Sequence, residues 1–226
     1  MIGSSACGRV EKARQKQRQL LPGDDQRVIS QYFLEASINI PSESISTYFC
    51  LAGKARDNVQ SKTKMRMLIA AKSLTSTELL HFWTMPTADT LRDSMIAMAD
   101  DVAYNRADQL ASGEQQDLST PLGLVPNPRP TSRRGAYLQL SGFLPSRDLA
   151  EFQAIYEAQP PLLARKYDIK FFGCFLNVSG RVNRVTSLWV TDRKKGVSND
   201  LLAALPGLHL LNQVDVSHWL ATPYHP

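Results

Sequence analysis

Two segments of this 226-residue chain read alike at a fixed distance. YFLEASINIPSESISTYFCLA (32–52) lies without a gap on AYLQLSGFLPSRDLAEFQAIY (136–156). Leu34, Ser37, Pro41 and Ser42 meet Leu138, Ser141, Pro145 and Ser146, each 104 residues on. Ile45, Tyr48 and Leu51 meet Leu149, Phe152 and Ile155, and Trp83 meets Trp189 at 106, so only a small length change intervenes. Self-similarity at a fixed period marks a duplicated unit and limits the architecture more than any single residue does.

Each half reads strand–helix–strand–strand–helix–strand. In the first, a strand is expected at 28–40, a helix begins at Ser42, a good N-cap, and 78–85 (ELLHFWTM) is a further strand. KMRMLIAA at 64–71 suits either a strand or a continued helix. After Pro86 a second helix is expected to bury Leu91, Met95, Met98 and Val102 as one stripe. From 112 to 134 the periodicity stops, and Pro121, Pro126, Pro128 and Pro130 with Gly113 and Gly123 predict a linker. The second half opens with a strand at 136–144 and a helix carrying Leu149, Phe152, Ile155 and Tyr156 inward. A hairpin, a short helix with Leu201, Leu202 and Leu205, and a last strand at 208–216 follow.

A four-stranded antiparallel sheet with two helices on one face leaves its other face bare, and large bare apolar faces are rare on soluble monomers. A second copy covers it. The expected fold is α+β: two tandem ferredoxin-like βαββαβ units packed sheet-to-sheet as an α+β barrel pseudo-dimer around an apolar hollow. The expected boundaries are a disordered basic leader at 1–27, a first unit at 28–111, the Pro-rich linker at 112–134 and a second unit at 135–226. Trp83 and Trp189 each bury roughly 150–250 Å², a gross gain of about 4–6 kcal/mol.

The hairpin is IKFFGCFLNVSGRVNRVTSLWVTD (169–192), two apolar runs around Ser-Gly. Its first run is apolar on both faces, as expected of a central strand covered on both sides. Gly173, Phe175, Gly180, Asn183 and Trp189 resemble the signature of the NIPSNAP-like branch of the dimeric α+β barrel superfamily, in which G-x-F leads to a G-x-x-N turn and a strand ending in Trp. Residues 138–145 and 149–156 resemble that family's opening strand and helix. The chain departs from the pattern at Thr191, where an aromatic often stands, and no G-x-x-N turn precedes Trp83. The resemblance implies a cavity between sheet and helices that takes a small apolar or aromatic molecule. It also implies a range of activities: cofactor-independent monooxygenases, cyclases, isomerases, and heme-binding dehydratases or peroxidases.

The formal charge is +5, and five bases against one acid among residues 9–18 supply most of it. The body is therefore nearly neutral, without the basic surface that nucleic acid requires. Cys7, Cys50 and Cys174 are odd in number and unpaired in spacing, which points to a reducing cytoplasm; Cys50 and Cys174 are expected in the core. No apolar run approaches the roughly 20 residues that span a bilayer, and no secretory h-region is present.

His81 is the leading candidate for chemistry. It shares a strand face with Leu79, Trp83 and Met85, whereas Ser187 stands at the matching place in the second half. A histidine among apolar neighbours serves as general acid or base, or as a core residue hydrogen-bonded to a partner. Arg184 either clamps a carboxylate or enolate as a second catalytic group or is a solvated strand-end arginine. Asn183 either ties down the turn or donates to an oxyanion. Tyr32 and Tyr137 offer phenols to a cavity, Cys174 a thiol, and Trp83 and Trp189 flat apolar walls. His209 is the candidate heme ligand. No metal cluster, P-loop, GxGxxG, HExxH or GxSxG motif occurs.

The leading functional expectation is a cofactor-independent cyclase, isomerase or oxygenase acting on a small apolar or aromatic metabolite in a biosynthetic pathway, with no cofactor. The alternatives are a non-catalytic module for a hydrophobic ligand or partner, and a heme enzyme. The expected assembly is a monomeric pseudo-dimer or a homodimer, without nucleic acid or membrane.

Overall fold

The computed structural model describes residues 32–123, 135–191 and 198–226. The expected leader, positions 28–31 of the strand expected at 28–40 and the later part of the expected linker lie outside them. Eight strands, most of them covered on both faces, pair into one closed antiparallel barrel. The strands are β1 (Tyr32–Asn39), β2 (Arg66–Ser73), β3 (Glu78–Met85), β4 (Gly113–Pro121), β5 (Ala136–Phe143), β6 (Lys170–Ser179), β7 (Arg184–Thr191) and β8 (Asn212–Ala221). Around the barrel their order is β1-β3-β2-β8-β5-β7-β6-β4. Helices α1 (Ile45–Lys62), α2 (Ala88–Ala99) and α3 (Val102–Asp108) belong to the first half. The second half carries α4 (Leu149–Ala158), α5 (Pro160–Tyr167) and α6 (Asn199–Ala203).

The two halves repeat in register as well as in order. Leu34 pairs with Trp83 across β1–β3, and Leu138 pairs with Trp189 across β5–β7. The β2–β3 ladder slips between Met67 and Ile69, and β6–β7 slips at the matching point, between Phe171 and Gly173. Two short ladders close the circle: β2 with β8, and β4 with β6.

Three apolar layers result. Inside the barrel, Phe33, Phe82 and Phe175 meet with ring centroids 4.6–5.6 Å apart, joined by Tyr137, Leu188 and Trp219. Gly173 makes this possible, because a Cβ there would stand 2.6 Å from the Phe175 ring. Outside, one layer lies between β1–β3 and α1, through Leu34, Ala36, Tyr48, Ala52 and Val59. The other lies against α4, through Leu138, Phe152, Tyr156 and Trp189.

Several expectations are corrected. The hollow expected between the facing sheets is filled by the barrel's aromatic cluster. The ambiguous segment at 64–71 is a strand, β2, which the barrel needs to bridge β3 and β8. The linker expected from 112 contains β4, whose polar alternation hid a strand exposed over its first half. The last strand runs Asn212–Ala221, because Leu208–Leu210 form a 3-10 turn first. The stripe expected from Leu91 to Val102 is broken: Asp101 caps a new helix by accepting from the Tyr104 amide at 2.8 Å, which leaves Val102 66% exposed, and Met95, within α2, is itself 61% exposed. Cys50 is exposed, off the α1 stripe of Tyr48, Ala52, Ala55 and Val59.

Candidate active site

Between the first-half sheet and its helices the packing leaves a cavity of about 260 Å³. The repeat explains why it is there. Ala52 on α1 stands where α4 carries Tyr156, and Met67 pairs with Trp83 as Phe171 pairs with Trp189. In the second half the Tyr156 ring stacks on Phe152 at 4.6 Å and Phe171 packs on Trp189 at 4.7 Å. The first half lacks both of those rings. Ala52, Met67 and Trp83 line the space they leave.

Into this space β3 brings His81. It pairs with Ala70 as Ser187 pairs with Cys174, so the histidine replaces the serine that anchors Tyr156 and Trp189 in the second half. Its Nε2 lies 2.6 Å from the Tyr224 hydroxyl, which the segment after β8 folds back to supply. Thr222 Oγ1 donates to the Ala70 carbonyl at 3.0 Å, which fixes the start of the returning segment. Nε2 is thus engaged by Tyr224, while Nδ1 has no hydrogen-bond partner among the described residues. Burial lowers the His81 pKa to about 4, so the ring is neutral at pH 7. Arg56 donates to the Tyr224 carbonyl and pairs with Asp57, which holds the returning segment in place.

Tyr48, Tyr104, Asp108, Glu114 and Gln116, whose amide donates to Glu114 at 2.7 Å, complete the polar part of the lining. Tyr48 is 4% exposed, and its phenol has no hydrogen-bond partner among the described residues. Burial raises its pKa well above the usual value, with Tyr224, Glu114, Tyr104 and Asp108 adding to the effect. Tyr104 is pushed up to about 12 by burial and by the same two carboxylates. Burial raises the Glu114 carboxyl, against the hydrogen bond from Gln116 and with a weaker push from Asp108.

Of the residues singled out in the sequence, the structure brings His81 and Trp83 together here. Trp189 and Cys174 lie in the packed second-half layer. Tyr32 packs at the edge of the first-half layer and does not border the cavity. Tyr137 points into the barrel, where its hydroxyl bonds His225. Asn183 sits in the β6–β7 turn at φ 63°, the left-handed conformation that suits its side chain. Arg184 belongs to a polar cluster at one end of the barrel interior with Glu35, Gln139, Ser141, Asp117 and Arg181. There Gln139 donates to Glu35 at 2.8 Å, and Arg184 bonds Ser141. The arginine is far from His81 in the architecture, inside the barrel and not under the helices. Sequence reading missed Tyr48, Tyr104, Tyr224 and Glu114. Only the repeat held a signal for one of them, in the match of Tyr48 to Phe152.

The residues do not fit a heme at His209. That ring is exposed and faces Glu151 at 3.9 Å, beside a layer already filled with aromatic side chains. No group of three or more ligating side chains occurs among the described residues. Among them, no helix is long and apolar enough to cross a membrane.

No family model matches the chain, and no curated protein does. Solved structures do. A protein put forward as a monooxygenase, from Lactobacillus acidophilus, superposes with a TM-score of 0.61 at 9% identity, covering 84% of this chain and 93% of that one. An anthrone oxidase-like protein gives 0.55 at 9% identity over 85% and 92%. A chlorite dismutase variant from Candidatus Nitrospira defluvii, bound to cyanide, gives 0.57 at 9% identity over 90% and 97%. At this identity the likeness establishes the fold: the chain is built as an α+β barrel of the dimeric α+β barrel type.

Proposed function

We propose that this chain is a cofactor-independent enzyme that moves a proton on a small apolar or aromatic metabolite held in the first-half cavity. The fold is read as two tandem ferredoxin-like units of NIPSNAP-like character, one of which has kept a cavity. The observation that carries the reading is His81: a buried, neutral imidazole whose Nε2 is tied back to Tyr224 and whose Nδ1 has no partner among the described residues. Nδ1 takes a proton from an acidic C–H or phenolic O–H of the bound substrate. The low pKa makes the resting ring a weak base, so the transfer depends on pairing the new imidazolium with the substrate anion in a dry site. That anion is then reprotonated elsewhere, attacks an internal electrophile, or reacts with dioxygen, giving isomerase, cyclase or oxygenase outcomes. Arg184, inside the barrel, has no part in this step; Tyr48 and Trp83 contact the substrate.

Because one structural neighbour is anthrone oxidase-like, oxygen uptake with anthrone is the first assay. His81→Gln should lower turnover about 10²–10⁴-fold while ligand binding persists. An unchanged rate removes the role of His81. A second reading, a module that holds its ligand without chemistry, draws on the weak basicity of His81. It predicts equal binding by wild type and His81→Gln and no turnover by either.

A further inference from the structure

Two carboxylates and one already-paired arginine are the charged groups lining the cavity. Asp108 at the end of α3 and Glu114 at the start of β4 border it, and neither meets a cation within salt-bridge distance among the described residues. The remaining charged lining group, Arg56, is occupied by Asp57 and the Tyr224 carbonyl. A pair of carboxylates without a cationic partner is no site by itself. Here a second observation points the same way. Tyr48, more than nine-tenths buried, directs an unbonded phenol into the same cavity, and Tyr104 borders it beside the two acids. The side chains around this end are two carboxylates and two phenols, with the Gln116 amide donating to one oxygen of Glu114 at 2.7 Å and leaving its other oxygen and both of Asp108 to a ligand. An anionic head group meets repulsion there, and a neutral apolar end leaves the Tyr48 hydroxyl without a partner. A protonated amine satisfies the acids, gives a hydrogen bond to a phenol oxygen and sits against aromatic rings.

We propose that the cavity selects ligands with a flat apolar body and a cationic amine head, the head seated between Asp108 and Glu114 and bonded to Tyr48, the body lying on Trp83 and Met67 next to His81. This rests on the cavity being the ligand site and adds the class of head group to it. No covalent step is implied.

Calorimetric titration of the whole protein at neutral pH with tryptamine, 3-ethylindole and indole-3-propionate separates the two ideas, since the three share a ring and differ in charge. Tryptamine should bind about tenfold more tightly than 3-ethylindole, the sum expected of two exposed ion pairs, and indole-3-propionate most weakly. The advantage should shrink at high salt and vanish in Asp108→Asn with Glu114→Gln, while 3-ethylindole affinity stays as it was. Equal or tighter binding of 3-ethylindole or indole-3-propionate by the wild type overturns the amine assignment. The cavity reading survives that result if Ala52→Tyr abolishes the binding. Failure of all three to bind rejects the cavity and the head-group assignment together.

Discussion

The two sheet–helix layers share strand order, register and even the site of a bulge, yet one is solid and the other hollow. In the second half Tyr156 and Phe171 fill the space beneath α4 and lock onto Ser187 and Trp189. In the first, Ala52 and Met67 leave that space open and His81 looks into it. Side chains of Tyr and Phe size decide the matter, because close-packed interiors have no slack to redistribute. Two rings present in one half and absent from the other therefore account for the cavity.

Restoring a ring should have the largest effect. Ala52→Tyr makes the first layer resemble the second, and ligand affinity measured by calorimetry should fall about 100-fold or more, with a change in stability that is small because the ring enters existing space. The reverse change, Tyr156→Ala, should cost about 3–5 kcal/mol in urea unfolding and open a second apolar hollow. Trp189→Ala should cost as much, while Trp83→Ala costs about 2–3 kcal/mol, since one side of Trp83 already borders open space. Similar losses for the two tryptophans would mean that the layers are equally solid.

A smaller effect lies in acid. The folded pKa of His81 is about 4 against an ordinary 6.5, so the unfolded chain binds the extra proton first. Its contribution is complete above pH 6.5 and is lost as pH falls towards 4, by at most about 3 kcal/mol. Urea titrations across that window should show a flatter pH slope for His81→Gln than for the wild type. Smallest of all, Tyr48→Phe should weaken ligand binding only a fewfold, the value of one hydrogen bond, with stability unchanged.

The duplicated order of elements, the central hairpin and the tryptophan pair were legible from residues because each rests on local periodicity or turn chemistry. Strand β4 was not, since GEQQDLSTP carries little apolar alternation and pairs only because β1 and β6 offer edges on either side. His81 stood out against Ser187. Arg184 misled, because strand position alone does not say whether a side chain faces the helices or the barrel interior. Tyr224 was invisible: it follows the last strand and reaches His81 only through the closed barrel.

Closure also sets an order of events during folding. β2 meets its second neighbour, β8, only when the last strand docks, and His81 finds its phenol 143 positions further along the chain. Until the distal strand docks, the earlier half carries an open edge that invites wrong pairing. His81 lacks its hydrogen-bond partner for as long.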